Sequence, residues 1–106
     1  MDARQLAPGL WRWSTAHPSW TPESDSPTGW PEDVGSVYLE PPGGRGVVLV
    51  DPLVPADPAQ RTLFWSRLDR DVARRGEVLV IVANAWHGRS AREILARYRE
   101  RPGCSV

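Results

Sequence analysis

The turn Asn84-Ala85-Trp86-His87-Gly88-Arg89-Ser90 gathers the side chains in this chain best suited to chemistry: an indole, an imidazole, a guanidinium and a hydroxyl within five residues. An imidazole titrates near neutrality, so His87 can pass a proton or donate a hydrogen bond. The alternative is a turn histidine bonded to a backbone carbonyl, the commoner fate of a lone His with no carboxylate beside it in sequence. Gly88, Arg89 and Ser90 offer free backbone N–H groups, a guanidinium and a hydroxyl where a helix begins, a combination that favours an anion by partial charge and donor geometry. Arg92 follows closely, and an ordinary capped helix start has the same composition. The candidate ligand-binding set is therefore Trp86, Arg89 and Ser90, joined by Trp20 and Trp30 from a loop upstream.

The elements that must position this turn are legible on both sides of it. Residues 78–83 are a continuous, mostly β-branched apolar run, which predicts a strand over 77–83 buried on both faces. Ser90-Ala91-Arg92-Glu93 reads as a capping box opening a helix over 90–101, with Ala91, Ile94, Leu95 and Tyr98 on its apolar face and Glu93–Arg97 as a four-residue ion pair. Upstream, Asp57 and Pro58 supply an N-cap and an N1 proline for a helix over 57–75, and Gly76 supplies its stop. Residues 10–14, 34–40 and 46–51 read as strands, the last two joined as a hairpin by the Pro-Pro and Gly-Gly pairs of 41–45. Strand 46–51, helix 57–75 and strand 77–83 then form a right-handed crossover with parallel strands. Ser105 and its neighbours resemble the start of a further strand.

Residues 15–33 hold four prolines and little periodicity, predicting a Pro/Trp-rich loop that serves either as a lid or as a loose insertion. Trp20, Trp30 and Trp86 fall on loops or at the turn, where an aromatic ring covers a pocket or mediates association. Trp11, Trp13 and Trp65 fall where a core would be. The 106 residues allow one domain. Thirteen Arg balance thirteen Asp and Glu, and there is no Lys, so no global field draws the chain to nucleic acid or membrane. The Arg-rich last helix lacks the interleaved aromatics of a single-strand binder. One cysteine, Cys104, excludes an internal disulfide and suits a reducing compartment. With no membrane-length apolar run, a cytoplasmic location is expected.

The strand order, together with Val37-Tyr38-Leu39, Val48-Leu49-Val50-Asp51-Pro52 and the turn after Val80, resembles the N-terminal half of the metallo-β-lactamase fold. The resemblance implies an α/β, α+β-layered architecture: half of an αββα sandwich, in which 1–106 is a single incomplete domain of a hydrolase-like protein. It also implies zinc held by His-x-His-x-Asp-His directly after the strand. In this chain Asn84, Trp86, Gly88 and Arg89 stand at the four ligand positions, with His87 on a spacer, and a one-residue shift recovers only His87. A catalytic zinc generally needs three protein ligands, so no metal residues and no cofactor are assigned. Asp51 resembles the aspartate that orients the family's ligand histidines. Without those histidines it is expected to bond N–H groups of the turn, and His87 and Asp51 are the candidate catalytic residues. In the resembling fold the loop between the first two strands overhangs the site, which gives 15–33 a place. The functional expectation is a divergent hydrolase-like domain without its zinc site, inactive alone. The alternative is a small binding module for a small-molecule or anionic ligand or a protein partner. A half-sandwich also leaves an apolar sheet face, so self-association, or a missing C-terminal half, is expected.

Overall fold

The computed structural model describes residues 2–24, 29–84, 87–101, 103 and 105. Trp86 and Cys104 therefore lie outside the described residues. Five strands form one mixed sheet in the order β1-β2-β3-β4-β5. They are β1 (Asp2–Ala7), β2 (Leu10–Ala16), β3 (Asp33–Leu39), β4 (Val47–Val50) and β5 (Val78–Ile81). Neighbours from β1 to β4 run antiparallel, and β4 pairs parallel with β5. Helix α1 (Pro58–Arg75) makes the crossover between the parallel pair, and α2 (Ala91–Arg99) follows β5. The expected small α+β fold and its element order are observed, with β1 added. That first strand was not anticipated because Asp2, Arg4 and Gln5 give it no apolar alternation. It is an exposed edge bonded to β2 through the turn at Pro8-Gly9. Gly9 has φ +77, and a Cβ there would stand 2.7 Å from the Glu40 carbonyl oxygen, so the turn requires glycine.

Local chemistry sets the ends of α1. Asp57 accepts from the Gln60 N–H at 3.0 Å, and Gly76, at φ 91, returns its N–H to the Val72 carbonyl. The helix buries Phe64, Leu68 and Val72 on one side of the sheet, and α2 adds Ile94 and Tyr98 to the same side. The strands contribute alternate residues to this layer, Trp13, Tyr38, Val47, Leu49 and Val78, as a period of two requires. Each fully buried aliphatic side chain contributes roughly 1.5–3 kcal/mol against the entropy of ordering the chain.

Both helices pack on one face, and this corrects the expectation for β5. The opposite face is open, with Leu79 53% and Ile81 43% exposed, so the strand is not buried on both sides. A continuous apolar run does not distinguish a covered second face from a bare one. The strand register places two rows across the bare face: Leu10, Leu39, Val48 and Leu79, and beside them Arg12, Val37, Val50 and Ile81. The β5 edge is extended by one parallel bridge, Glu77 to Ser105, matching the strand start expected at Ser105. No helix among the described residues is long and apolar enough to cross a membrane.

Candidate functional site

The residues that leave β4 are buried and hydrogen-bonded from three sides. Ser36 donates its hydroxyl to the Asp51 carbonyl at 2.8 Å and accepts from the Leu53 N–H at 3.2 Å. The Trp13 indole N–H donates to the Leu53 carbonyl at 3.0 Å. From the start of α2, Ser90 gives its N–H to the Pro52 carbonyl, and its hydroxyl oxygen accepts from the Val54 N–H at 2.9 Å. Pro52, Leu53, Val54 and Pro55 are all buried, so this proline-rich link is part of the core.

The result is a fixed carboxylate. Asp51 Oδ1 accepts from the Ala83 N–H at 2.7 Å, and Asp51 Oδ2 lies 2.8 Å from His87 Nδ1. Burial alone would raise the Asp51 pKa, but the Ala83 N–H and the His87 ring outweigh it and hold the carboxyl below its ordinary range. An ionised Asp51 accepts a proton-bearing Nδ1, which leaves His87 Nε2 as the basic nitrogen, 3.4 Å from the Asn84 side-chain nitrogen. Asp51 at φ 49 and Arg89 at φ 36 are the two non-glycine residues with positive φ among the described residues. Left-handed backbone is disfavoured for such residues and persists where surrounding bonds impose it. Here both strained residues belong to the site.

Arg89 supplies one of those bonds. Its Nη1 donates to the Gly35 carbonyl at 2.8 Å and to the Asp51 carbonyl at 2.7 Å, tying the turn to β3 and β4. His87 and Arg89 line a pocket of about 590 Å³ together with His17, Trp30, Pro31 and Val34. The loop between β2 and β3 forms its rim through its own bonds. The Trp20 indole donates to the Trp30 carbonyl at 3.1 Å, the Trp30 N–H donates to the Ser24 carbonyl, and the His17 and Trp30 rings meet edge to face at 5.1 Å. Burial lowers the His17 pKa, and the Arg89 charge lowers it further, so its ring is neutral at neutral pH.

Of the expected site residues, Asp51, His87, Arg89 and Trp30 are brought together. Trp20 supports Trp30 from behind, and Trp86 lies outside the described residues. Ser90 is 8% exposed and its oxygen holds Val54, so it builds the scaffold. The expected capping box does not form: Ser90 makes no side-chain cap bond, and Glu93 pairs with Arg61 instead of Arg97. Arg97 makes two bonds to Asp69, at 2.9 and 2.7 Å, tying α2 to α1. Tertiary partners on α1 outcompete the local ones in both cases. His17 was not anticipated as a site residue. The available signal was its identity as one of two histidines in the chain, placed in the loop expected to overhang the turn.

The donor set does not make a catalytic zinc site. No group of three or more His, Cys, Asp or Glu converges among the described residues. The pocket's two imidazoles are accompanied by the Arg89 cation, which repels a metal ion. No protein-family model, curated protein or solved structure matches the chain.

Proposed function

We propose that, against the expectation of a domain inactive alone, the chain is a metallo-β-lactamase-like domain whose Asp51–His87 pair performs general acid–base hydrolysis of a small molecule without zinc. The observation that carries this reading is the 2.8 Å contact between Asp51 Oδ2 and His87 Nδ1 at the wall of a roomy pocket. The family resemblance adds to it through the strand order and the positions of Asp51 and the turn. In the proposed step, Nε2 removes a proton from water as its oxygen bonds to the substrate's electrophilic centre. The same proton passes to the leaving group as the old bond breaks, and Asp51 stabilises the transient imidazolium. Trp30 and Val34 provide apolar walls, and Arg89 supplies positive charge. The binding-module alternative is weaker, because Ser90 is buried and Arg89 Nη1 is engaged by two carbonyls.

Hydrolysis of p-nitrophenyl acetate is the test. His87→Gln is expected to lower the protein-dependent rate by about 100-fold, within the range for loss of a general base. Asp51→Asn is expected to lower it less while leaving the fold intact. An unchanged rate in folded His87→Gln would sink the proposal.

The bare sheet face supports a second reading about partners. Its row Leu10–Leu39–Val48–Leu79 is apolar, as is Val37–Val50–Ile81 beside it apart from Arg12 at the β2 end, and the αββα resemblance implies a second sheet against them. A second copy of the chain supplies one. Sedimentation velocity is expected to show concentration-dependent dimers that Leu79→Lys abolishes, and a wild type that stays monomeric at high concentration would rule this interface out.

A further inference from the structure

A second cleft lies far along the sheet from His87, where β1 and β2 meet the outer side of α1. Trp11, Trp13, Tyr38 and Phe64 wall it, with Ala3 and Leu63 at its lips and Arg67 alongside; its volume is about 150 Å³. An apolar cavity of about this volume accommodates a single benzene ring. The cleft has a sequence cause. Ala3 stands directly across from Trp13 in the β1–β2 register, and a methyl group on this edge strand leaves the space beside the indole unfilled.

Arg67 gives the cleft its polarity. Its guanidinium carbon lies 4.5 Å from the Trp11 ring centroid and 5.0 Å from that of Tyr38, in the corner formed by two nearly perpendicular rings. Its Nε is buried and lacks a hydrogen-bond partner, the nearest carboxylate oxygen being Asp71 Oδ2 at 3.6 Å. That oxygen already accepts from the Tyr38 hydroxyl, and Arg74 occupies Asp71 Oδ1 at 3.3 Å. Among the described residues the Arg67 guanidinium makes no hydrogen bond, in contrast to the arginines at positions 61, 74, 75, 89, 97 and 101. A flat cation paired with Asp71 only at 3.6 Å, beside an aromatic slot, complements an anion carried on a flat ring.

We propose that this cleft binds a small monocyclic arene carboxylate, the ring between Trp11, Trp13 and Phe64 and the carboxylate on Arg67. The site is independent of the Asp51–His87 pair. Benzoate and its neutral isostere benzamide are the probes, titrated into the full chain while the indole N–H resonances of Trp11 and Trp13 are followed by NMR. Benzoate is expected to shift both resonances saturably and to bind about tenfold more tightly than benzamide, as expected for a charge-assisted hydrogen bond. Arg67→Met keeps an apolar stem over Trp11 and is expected to bring the two affinities together. Ala3→Leu, on the exposed edge strand, fills the slot without altering the core and is expected to weaken both ligands by about tenfold or more, since a packed space does not admit a second ring. Equal affinities for the two probes in the wild type would overturn the carboxylate assignment. Benzoate binding unaffected by Ala3→Leu, or no saturable shift at Trp11 and Trp13, would overturn the site.

Discussion

Asp71 and Asp51 are both carboxylates held in the folded chain by hydrogen bonds and positive charge, yet they do opposite work. Asp71 is 2% exposed and faces groups that cannot exchange a proton near neutrality: the Tyr38 hydroxyl and Arg67, Arg70 and Arg74. Burial pushes the Tyr38 hydroxyl far above its ordinary pKa, and the Asp71 carboxylate adds to this, so the phenol remains a donor. Asp51 binds one backbone N–H and one imidazole at the wall of a pocket. A carboxylate whose partners are fixed donors stabilises a fold. One whose partner is an imidazole can also transmit a proton, and identifying the partner separates scaffold from candidate chemistry.

The largest predicted effect tests the scaffold half of this contrast. Asp71→Ala strands the Tyr38 hydroxyl and the adjacent arginines and is expected to cost about 3 kcal/mol in urea unfolding, in line with breaking a buried charged network. The His87 ring signals are expected to stay in place, and movement of those signals would mean that the two carboxylates are coupled.

Acid titration comes next. Burial opposes ionisation of Asp71, but the Tyr38 hydroxyl and Arg74 outweigh it, and the Asp51 and Asp69 carboxyls are likewise held below their ordinary range. For a depressed carboxyl, the stabilisation is complete above the unfolded-state pKa and is lost as pH falls through the folded one. The acid unfolding limb is therefore expected to flatten in Asp71→Asn relative to the wild type.

Asp51→Asn is expected to cost less, about 1–2 kcal/mol, since it keeps the shape and loses one charge-assisted bond. It should nonetheless change the tautomer balance of His87, read from its ring nitrogen shifts, which Asp71→Ala leaves alone. Ser90→Ala is expected to cost about 1 kcal/mol in urea unfolding through the Val54 N–H. The smallest effect is Glu93→Ala, at a few tenths of a kcal/mol, because its pair with Arg61 is solvent-exposed.

Much of the fold was legible because local signals agreed with tertiary ones. Asp57, Pro58 and Gly76 bound α1 as their chemistry dictates, and the β4–α1–β5 crossover followed from two apolar runs around one amphipathic helix. The failures have a common cause. Ser90, Glu93 and Arg97 each had an attractive local partner within α2, and each formed a stronger or better-placed bond to another element. Asp51 and His87 were each named as candidate residues, Asp51 as a partner of turn N–H groups and His87 with no carboxylate beside it, and the bond between them joins residues 36 apart in sequence. Periodicity and capping do not report such a bond, and His17 entered the pocket through the same long-range folding. β1 was invisible because an exposed edge strand needs no apolar alternation.

That edge strand has a kinetic consequence. β1 is paired only with β2 and every residue in it is exposed, so its amides are expected to exchange with solvent by local fraying, whereas those of the interior strand β4 wait for far larger openings. Ala3 sits on this strand at the lip of the aromatic cleft. Fraying of these six residues therefore moves one lip of the cleft without opening the rest of the sheet.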